Sequence, residues 1–270
     1  MYKKLLDKIH QEIYPHIYKG KELIPKANLL PIGILTGPSG GGKDTIMIEM
    51  IKRGYFRQIV TATTRKRRYN ILTDERELVN QQIDSAKSSE EYLKVLEELE
   101  LKGYIKTTEP ANAYIWMRWQ KNGESNEEYY VNLIQEYELL ENDFHFGNLY
   151  GLPKSSLIVC KDTCCLPVIR TDLTGTQTLN KQIPQNEFQL INFAILPDNL
   201  EQVRLAILER ENNISKAELQ ERINRNIEEQ KFYPEIINFY VKNTRKEIKG
   251  RPGLEITVES LEKLTKSLLQ

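Results

Sequence analysis

The sequence predicts an α/β fold of three layers, a largely parallel sheet held between helices. Three observations point there. An apolar run, Leu29–Thr36, leads into a glycine-rich turn and then a helical segment. Apolar and β-branched stretches at 56–64, 157–160, 166–171, 189–196 and 237–242 alternate with helical patterns. The 270 residues, 40% hydrophobic and 28% charged, can bury a full core and have an ordinary globular balance.

Taken in order, residues 1–28 read as an N-terminal extension with one amphipathic helix. Leu5, Leu6, Ile9 and Ile13 fall at helical spacing, and Pro15, Gly20 and Pro25 punctuate the remainder of the extension. Leu29–Thr36 is a buried strand, and Thr45–Arg53 a helix after the glycine turn. Residues 56–64, with Ile59, Val60, Thr61, Thr63 and Thr64, read as the next strand. Between 74 and 102 the chain is rich in Glu, Lys and Gln, with an apolar stripe of Tyr92, Leu93, Val95, Leu96 and Leu99. Asp74 and Ser88 or Ser89 suit N-caps and Gly103 suits a stop, so a helical hairpin is expected. The aromatic stretch Tyr114–Trp119 suits a strand, with Trp116 and Trp119 as packing residues, and residues 198–232 form a long charged helical region.

Composition excludes several roles. Lys+Arg and Asp+Glu are both 38, so the basic excess usual in nucleic-acid binding is missing, and no nucleic-acid partner is expected. No apolar stretch approaches the roughly 20 residues of a membrane span. The N-terminus is interrupted by Asp7, Lys8, His10, Gln11 and Glu12, so neither a membrane nor a secretory route is expected and the cytoplasm is the predicted location. Cys160, Cys164 and Cys165 lack the spaced pairs of a zinc site and read as reduced thiols.

The strongest chemical signal is Gly37-Pro38-Ser39-Gly40-Gly41-Gly42-Lys43-Asp44-Thr45. Glycines let successive backbone N–H groups converge on phosphate oxygens, and the following helix turns its positive end to the same anion. Lys43 bridges β- and γ-phosphates in such a P-loop, which marks ATP as co-substrate. The next position normally carries a Ser or Thr hydroxyl for Mg²⁺; here it is Asp44, a hard oxygen ligand that suits the same metal. Thr45 lies one place too late to substitute. Mg²⁺ is therefore the expected cofactor, with Asp44 as its candidate ligand. Thr61-Ala62-Thr63-Thr64-Arg65-Lys66-Arg67-Arg68 then supplies hydroxyls and guanidinium forks that match a second phosphate.

At these residues the chain resembles the guanylate kinase family of nucleoside monophosphate kinases, over 32–68 and 123–243. Thr63–Arg68 is similar to the family's T-T-R-x-P-R, with Arg67 in place of Pro. Glu141–Gly151 is similar to E-x-x-x-x-x-G-N-x-Y-G. The resemblance implies that Thr61, Arg65, Arg68, Tyr150 and Tyr130 (or Tyr129) hold the acceptor phosphate, and that Glu141 reads the guanine N1–H and 2-amino group. Val168–Gly175 resembles L-D-I-D-x-Q-G; Asp172 keeps the second acid on the acceptor side, and Arg170 replaces the first. Arg210 and Arg222 match lid arginines that neutralise the transferring phosphoryl group, while Arg204 and Arg225 read as helix-surface charges. Asn243, in Val241-Lys242-Asn243, matches an adenine neighbour. The resemblance thus implies a P-loop core over 29–68 and 151–270 with a helical lid at about 198–225. An acceptor-binding subdomain spans 69–150, including an insertion at about 69–122. The implied activity is phosphoryl transfer from ATP to GMP or dGMP. Leu152, where the family places Ser or Thr, and a Lys-Asp pair similar to that of ribose 1,5-bisphosphate phosphokinases keep a sugar-phosphate acceptor open. Asp44 keeps open a catalytically silent scaffold that binds phosphosites. Nothing in the sequence sets the oligomeric state.

Overall fold

The computed structural model describes residues 12–26, 28–108, 114–145, 147–162, 164–210, 214–244, 246–248 and 250–269. Along the chain come β1 (Glu12–Tyr14), β2 (Ile17–Lys19), β3 (Leu30–Thr36), α1 (Lys43–Lys52), β4 (Phe56–Gln58), β5 (Ala62–Thr63) and β6 (Tyr69–Ile71). The helices α2 (Arg76–Asp84) and α3 (Ser89–Leu101) precede β7 (Ile105–Thr107), β8 (Ile115–Trp116), α4 (Asn126–Glu136), β9 (Leu139–His145) and β10 (Asn148–Pro153). A 3-10 helix (Lys154–Asp162) leads to β11 (Leu166–Arg170), α5 (Leu173–Gln182), β12 (Phe188–Pro197), α6 (Leu200–Arg210), α7 (Lys216–Glu229) and α8 (Tyr233–Ile236). The chain closes with β13 (Phe239–Asn243), β14 (Glu247–Ile248), β15 (Arg251–Pro252) and α9 (Gly253–Leu269). Among the described residues no helix is long and apolar enough to cross a membrane.

The chain divides into two compact units, residues 1–59 with 159–270, and residues 60–158. In the first, seven strands run in the order β1-β2-β13-β12-β3-β11-β4. Pairing is parallel from β13 to β4 and antiparallel at the β1–β2–β13 edge. Alternation along each strand sends successive side chains to opposite faces. Phe193, Ile195, Phe239 and Val241 pack with Ile46, Met47 and Met50 of α1 and Val258, Leu261 and Leu264 of α9. Ala194, Leu196 and Tyr240 pack on the other face with Leu173, Val203, Ile207, Leu219 and Tyr233, from α5 to α8. These are the three layers that the sequence predicts. Helices α6 and α7, the expected lid, put Val203, Ile207 and Leu219 into this cluster.

Ile13 and segment 157–160 differ from the sequence reading. Ile13 lies in β1 rather than a helix, because the hairpin β1–β2 finds an open sheet edge along β13; Leu5, Leu6 and Ile9 lie outside the described residues. Segment 157–160 lies in the 3-10 helix, with Leu157 buried and Ile158 exposed. A four-residue apolar run carries too little periodicity to separate strand from helix.

The second unit has a four-stranded sheet, β8-β5-β10-β9, and the hairpin β6–β7. Residues 56–64 do not make one strand: β4 pairs with β11, whereas β5 pairs with β10 and β8. That exchange of partners puts 60–68 and 151–158 with this unit rather than with the core. The helical hairpin α2–α3 packs Val79, Ile83, Tyr92, Leu96 and Leu99 together with Ile105. Ser88 caps α3, its hydroxyl accepting from the Glu91 N–H at 3.1 Å, and Gly103 follows α3 at φ 74°. A reciprocal capping box between Ser125 and Glu128 starts α4, which buries Tyr129 and Leu133 against Ala62, Met117 and Leu149.

Candidate functional site

The loop between β3 and α1 needs its glycines. Gly37, Gly40 and Gly42 have φ of 132°, 77° and 89°, a region costly for residues with a Cβ. A Cβ on Gly37 would run into the Ile195 carbonyl, and one on Gly42 into the Asn243 amide. Gly41 N–H donates to the Pro38 carbonyl at 3.0 Å, and Asn243 Nδ2 donates to the Gly41 carbonyl at 3.0 Å. Asn243, matched to an adenine neighbour by sequence, thus braces the loop. Lys43 opens α1, and its Nζ donates to the carbonyls of Gly37 at 2.6 Å and Pro38 at 3.1 Å. Burial lowers its pKa to about 8, opposed by the Asp44 carboxylate and assisted by Arg170. Ser39 lies in the turn, and Thr45 is exposed on the first turn of α1. The result is a glycine turn, braced by Asn243 and with a cation at its base, that leads into the N-terminus of α1, an arrangement suited to an anion.

Ion pairs continue from the loop within the same unit. Asp44 is paired with Arg170 at the end of β11. Asp172 caps α5, its Oδ1 accepting from the Gly175 N–H at 2.8 Å, and its Oδ2 accepts from Arg225 at 2.7 Å. Arg225 also donates to Glu229 at 2.9 Å, and burial, then the Asp172 charge, raises the Glu229 pKa. Arg225 is therefore more than a helix-surface charge: α7 packs so that it reaches Asp172. The surface reading fits Arg204, paired with Glu201 at 3.0 Å one turn away. Arg222 donates to Glu218 at 2.6 Å, and the Arg210 side chain lies outside the described residues. Among the described residues no group of three acidic, His or Cys side chains is arranged to hold a metal. Asp44 still fits Mg²⁺ as a single protein oxygen, since this ion is commonly held by one or two carboxylates plus phosphate and water.

The predicted acceptor residues Thr61, Arg65, Arg68, Tyr130, Glu141 and Tyr150 all lie in the second unit, and Asp172 lies in the first. Tyr150 pairs with Thr63 across β10–β5. Burial raises the Tyr150 pKa, while the nearby charges of Arg65 and Arg68 and a hydrogen bond with Thr63 oppose that rise. Thr61 supports β8 through its carbonyl, which accepts from the Ile115 N–H at 2.8 Å. Glu141 is buried in β9, opposite Leu152 of β10, which is fully buried core. Tyr129 is buried and donates its hydroxyl to the Arg118 carbonyl at 2.7 Å. Tyr130 is only half-buried and packs beside the rings of Tyr129 and Phe144.

Sequence reasoning gave no separate role to Arg67, which the structure buries to 4% exposure. Its guanidinium donates to Thr107 Oγ1 at 3.0 Å, and its carbonyl accepts from the Tyr92 hydroxyl at 2.7 Å. Thr107 in turn donates to Glu100 through its hydroxyl at 2.6 Å and its N–H at 2.8 Å. The one readable signal was Arg in the place of a motif proline.

No family model matches the chain. It is 26% identical over 222 residues to the guanylate kinase of Clostridioides difficile (strain 630), covering 80% of this chain and 84% of that protein. The guanylate kinase of Clostridium tetani (strain Massachusetts / E88) is 25% identical over 177 residues, 66% of this chain and 62% of that protein. The crystal structure of guanylate kinase from Anaplasma phagocytophilum matches 89% of this chain and 86% of its own, with a TM-score of 0.49 and 15% identity. The sequence likeness to these curated guanylate kinases, at about 25% identity, supports a divergent guanylate kinase-like family.

Proposed function

We propose that this protein is a nucleotide kinase that moves the γ-phosphoryl group of ATP onto a nucleoside monophosphate, with GMP and dGMP as the fitting acceptors. The observation that carries the proposal is the loop Gly37–Gly42 with Lys43 at its base, braced by Asn243. The guanylate kinase names of the two bacterial relatives support it. Buried Glu141 supports guanine among the nucleotides, because a carboxylate accepts from both N1–H and the 2-amino group.

The protein's work in such a transfer is positioning and charge neutralisation. Amides of Gly37–Gly42 and the start of α1, including Thr45, cradle the polyphosphate. Lys43 exchanges its bonds to the Gly37 and Pro38 carbonyls for phosphate oxygens, which favours its charged form. Asp44, once separated from Arg170, would hold Mg²⁺, which would supply neutralising charge beside the polyphosphate. Arg222, with Arg210, takes up charge on the transferring group. Arg65, Arg68, Thr61, Tyr130 and Tyr150 hold the acceptor phosphate, and Asp172 keeps Arg225 in place. Helices α6 and α7, over residues 198–225, serve as the lid that excludes water from the donor.

Lys43→Ala tests the assignment. With an unchanged circular dichroism spectrum, its ADP production in the presence of GMP should fall roughly a hundredfold or more. Turnover near that of the wild type would contradict it.

A further inference from the structure

The structure sorts three of the four consecutive cations Arg65-Lys66-Arg67-Arg68 by what the insertion offers each. Arg67 is buried on Thr107 and Tyr92, and the Lys66 ammonium lies 4.8 Å from the Trp119 ring centre and 5.5 Å from that of Tyr92. Both are thus anchored to the helical hairpin and its surroundings. Arg65 goes elsewhere. Its Cζ lies 5.4 Å from the ring centre of Tyr114 and 5.8 Å from that of Trp116. These two rings are 5.4 Å apart and tilted by 58°.

The placement arises from strand register. β8 runs parallel to β5, pairing Ile115 with Ala62 and Trp116 with Thr63, so the returning arm of the insertion lies along the strand that leads into Arg65. Met117 N–H donates to the Thr63 carbonyl at 2.9 Å and locks that register. On the other side of β5, β10 brings Tyr150 opposite Thr63, and the Tyr150 hydroxyl feels Arg65, Arg68 and Tyr114. Arg65 Nη1 also donates to the Lys66 carbonyl at 3.1 Å, and its N–H to Thr63 Oγ1 at 3.0 Å.

We infer that Tyr114 and Trp116 are positioning residues for the acceptor phosphate, holding the Arg65 guanidinium in its working orientation, and that the insertion exists in part to supply them. A guanidinium uses its faces against aromatic rings and its in-plane N–H groups against phosphate oxygens. Holding the faces therefore leaves the reading edge in use while removing rotamer freedom that binding would otherwise have to quench. The inference rests on Arg65 as an acceptor-phosphate ligand.

The test compares wild type, Tyr114→Leu/Trp116→Leu and Tyr114→Phe/Trp116→Phe, each with and without Arg65→Lys, by calorimetric titration with GMP and by steady-state kinetics. The leucine pair should raise the GMP Kd and KM about tenfold, with kcat changed far less, and the phenylalanine pair should restore most of the affinity. Arg65→Lys should weaken GMP binding strongly in the wild type and only slightly in the leucine background, the coupling expected of one functional unit. If the wild type binds no nucleoside monophosphate, the kinase reading falls and this proposal with it. If it binds GMP and a leucine pair with an intact circular dichroism spectrum binds equally well, the proposal alone is overturned. Independent, additive effects of Arg65→Lys and the leucine pair would also overturn it.

Discussion

Lys43 carries the charge that a polyphosphate needs, yet burial holds its pKa near 8 against a normal 10.5. Between those values the unfolded chain binds more protons than the folded one, so this group makes stability rise with pH from about 8 to about 10.5. Phosphate binding works in the opposite sense, because it favours the protonated amine. Affinity for a non-hydrolysable ATP analogue should fall as pH rises through about 8, with proton uptake on binding above that value. Calorimetry in buffers of different ionisation enthalpy measures both, and a Lys43→Met variant should show neither. A second prediction concerns Asp44. Sequence alone showed two separate departures, an acid after Lys43 and an arginine at 170. The parallel register of β11 on β3 sets Arg170 beside Leu35, one residue before Thr36 and the loop, which turns the two departures into one ion pair. Arg170→Gln should free the carboxylate and tighten Mn²⁺ binding to the analogue complex several-fold, read by electron paramagnetic resonance. Unchanged Mn²⁺ affinity would show that the pair does not restrain Asp44.

At the level of elements, what was legible depended on length. The loop and its flanking strand and helix, the hairpin α2–α3 with its Ser88 cap and Gly103 stop, and the ten-residue β12 arise from long patterns or from specific capping chemistry, while the five-residue β11 and β13 were legible as near-continuous apolar runs. Two other short segments were not legible. Residues 56–64 split because two strands with different partners meet there, and 157–160 forms a 3-10 helix. Arg67 shows how a single residue governs an element: it ties the start of the insertion to β7 and α3. Arg67→Met removes a charged hydrogen bond from a buried site, a loss of about 2 kcal/mol. Thermal denaturation should move to lower temperature, and hydrogen exchange should quicken over Arg76–Thr107 first. Unchanged exchange there would rule out the anchoring role.

Across the whole molecule, the predicted donor residues fall in one compact unit and all the acceptor residues except Asp172 in the other. The sequence marked both sets through glycine, arginine and glutamate motifs. It did not mark the division itself, which lies at 59/60 and 158/159, because nothing in Ile59-Val60 or Ile158-Val159 distinguishes a change of unit from a continuing apolar run. Nor did it reveal Arg225 as the partner of Asp172, since that contact joins residues 53 positions apart through the packing of α7. In the proposed function Glu141 would read the acceptor base, and the fully buried Leu152 opposite it offers no polar group to share that task. The most direct measurement is ATP-dependent ADP formation by coupled assay with GMP, dGMP, AMP and ribose 1,5-bisphosphate, each as sole acceptor. GMP and dGMP should support turnover well above the acceptor-free rate, with AMP weaker by roughly a hundredfold or more. Turnover with ribose 1,5-bisphosphate alone, or with none of the four, would contradict a guanine-nucleotide kinase.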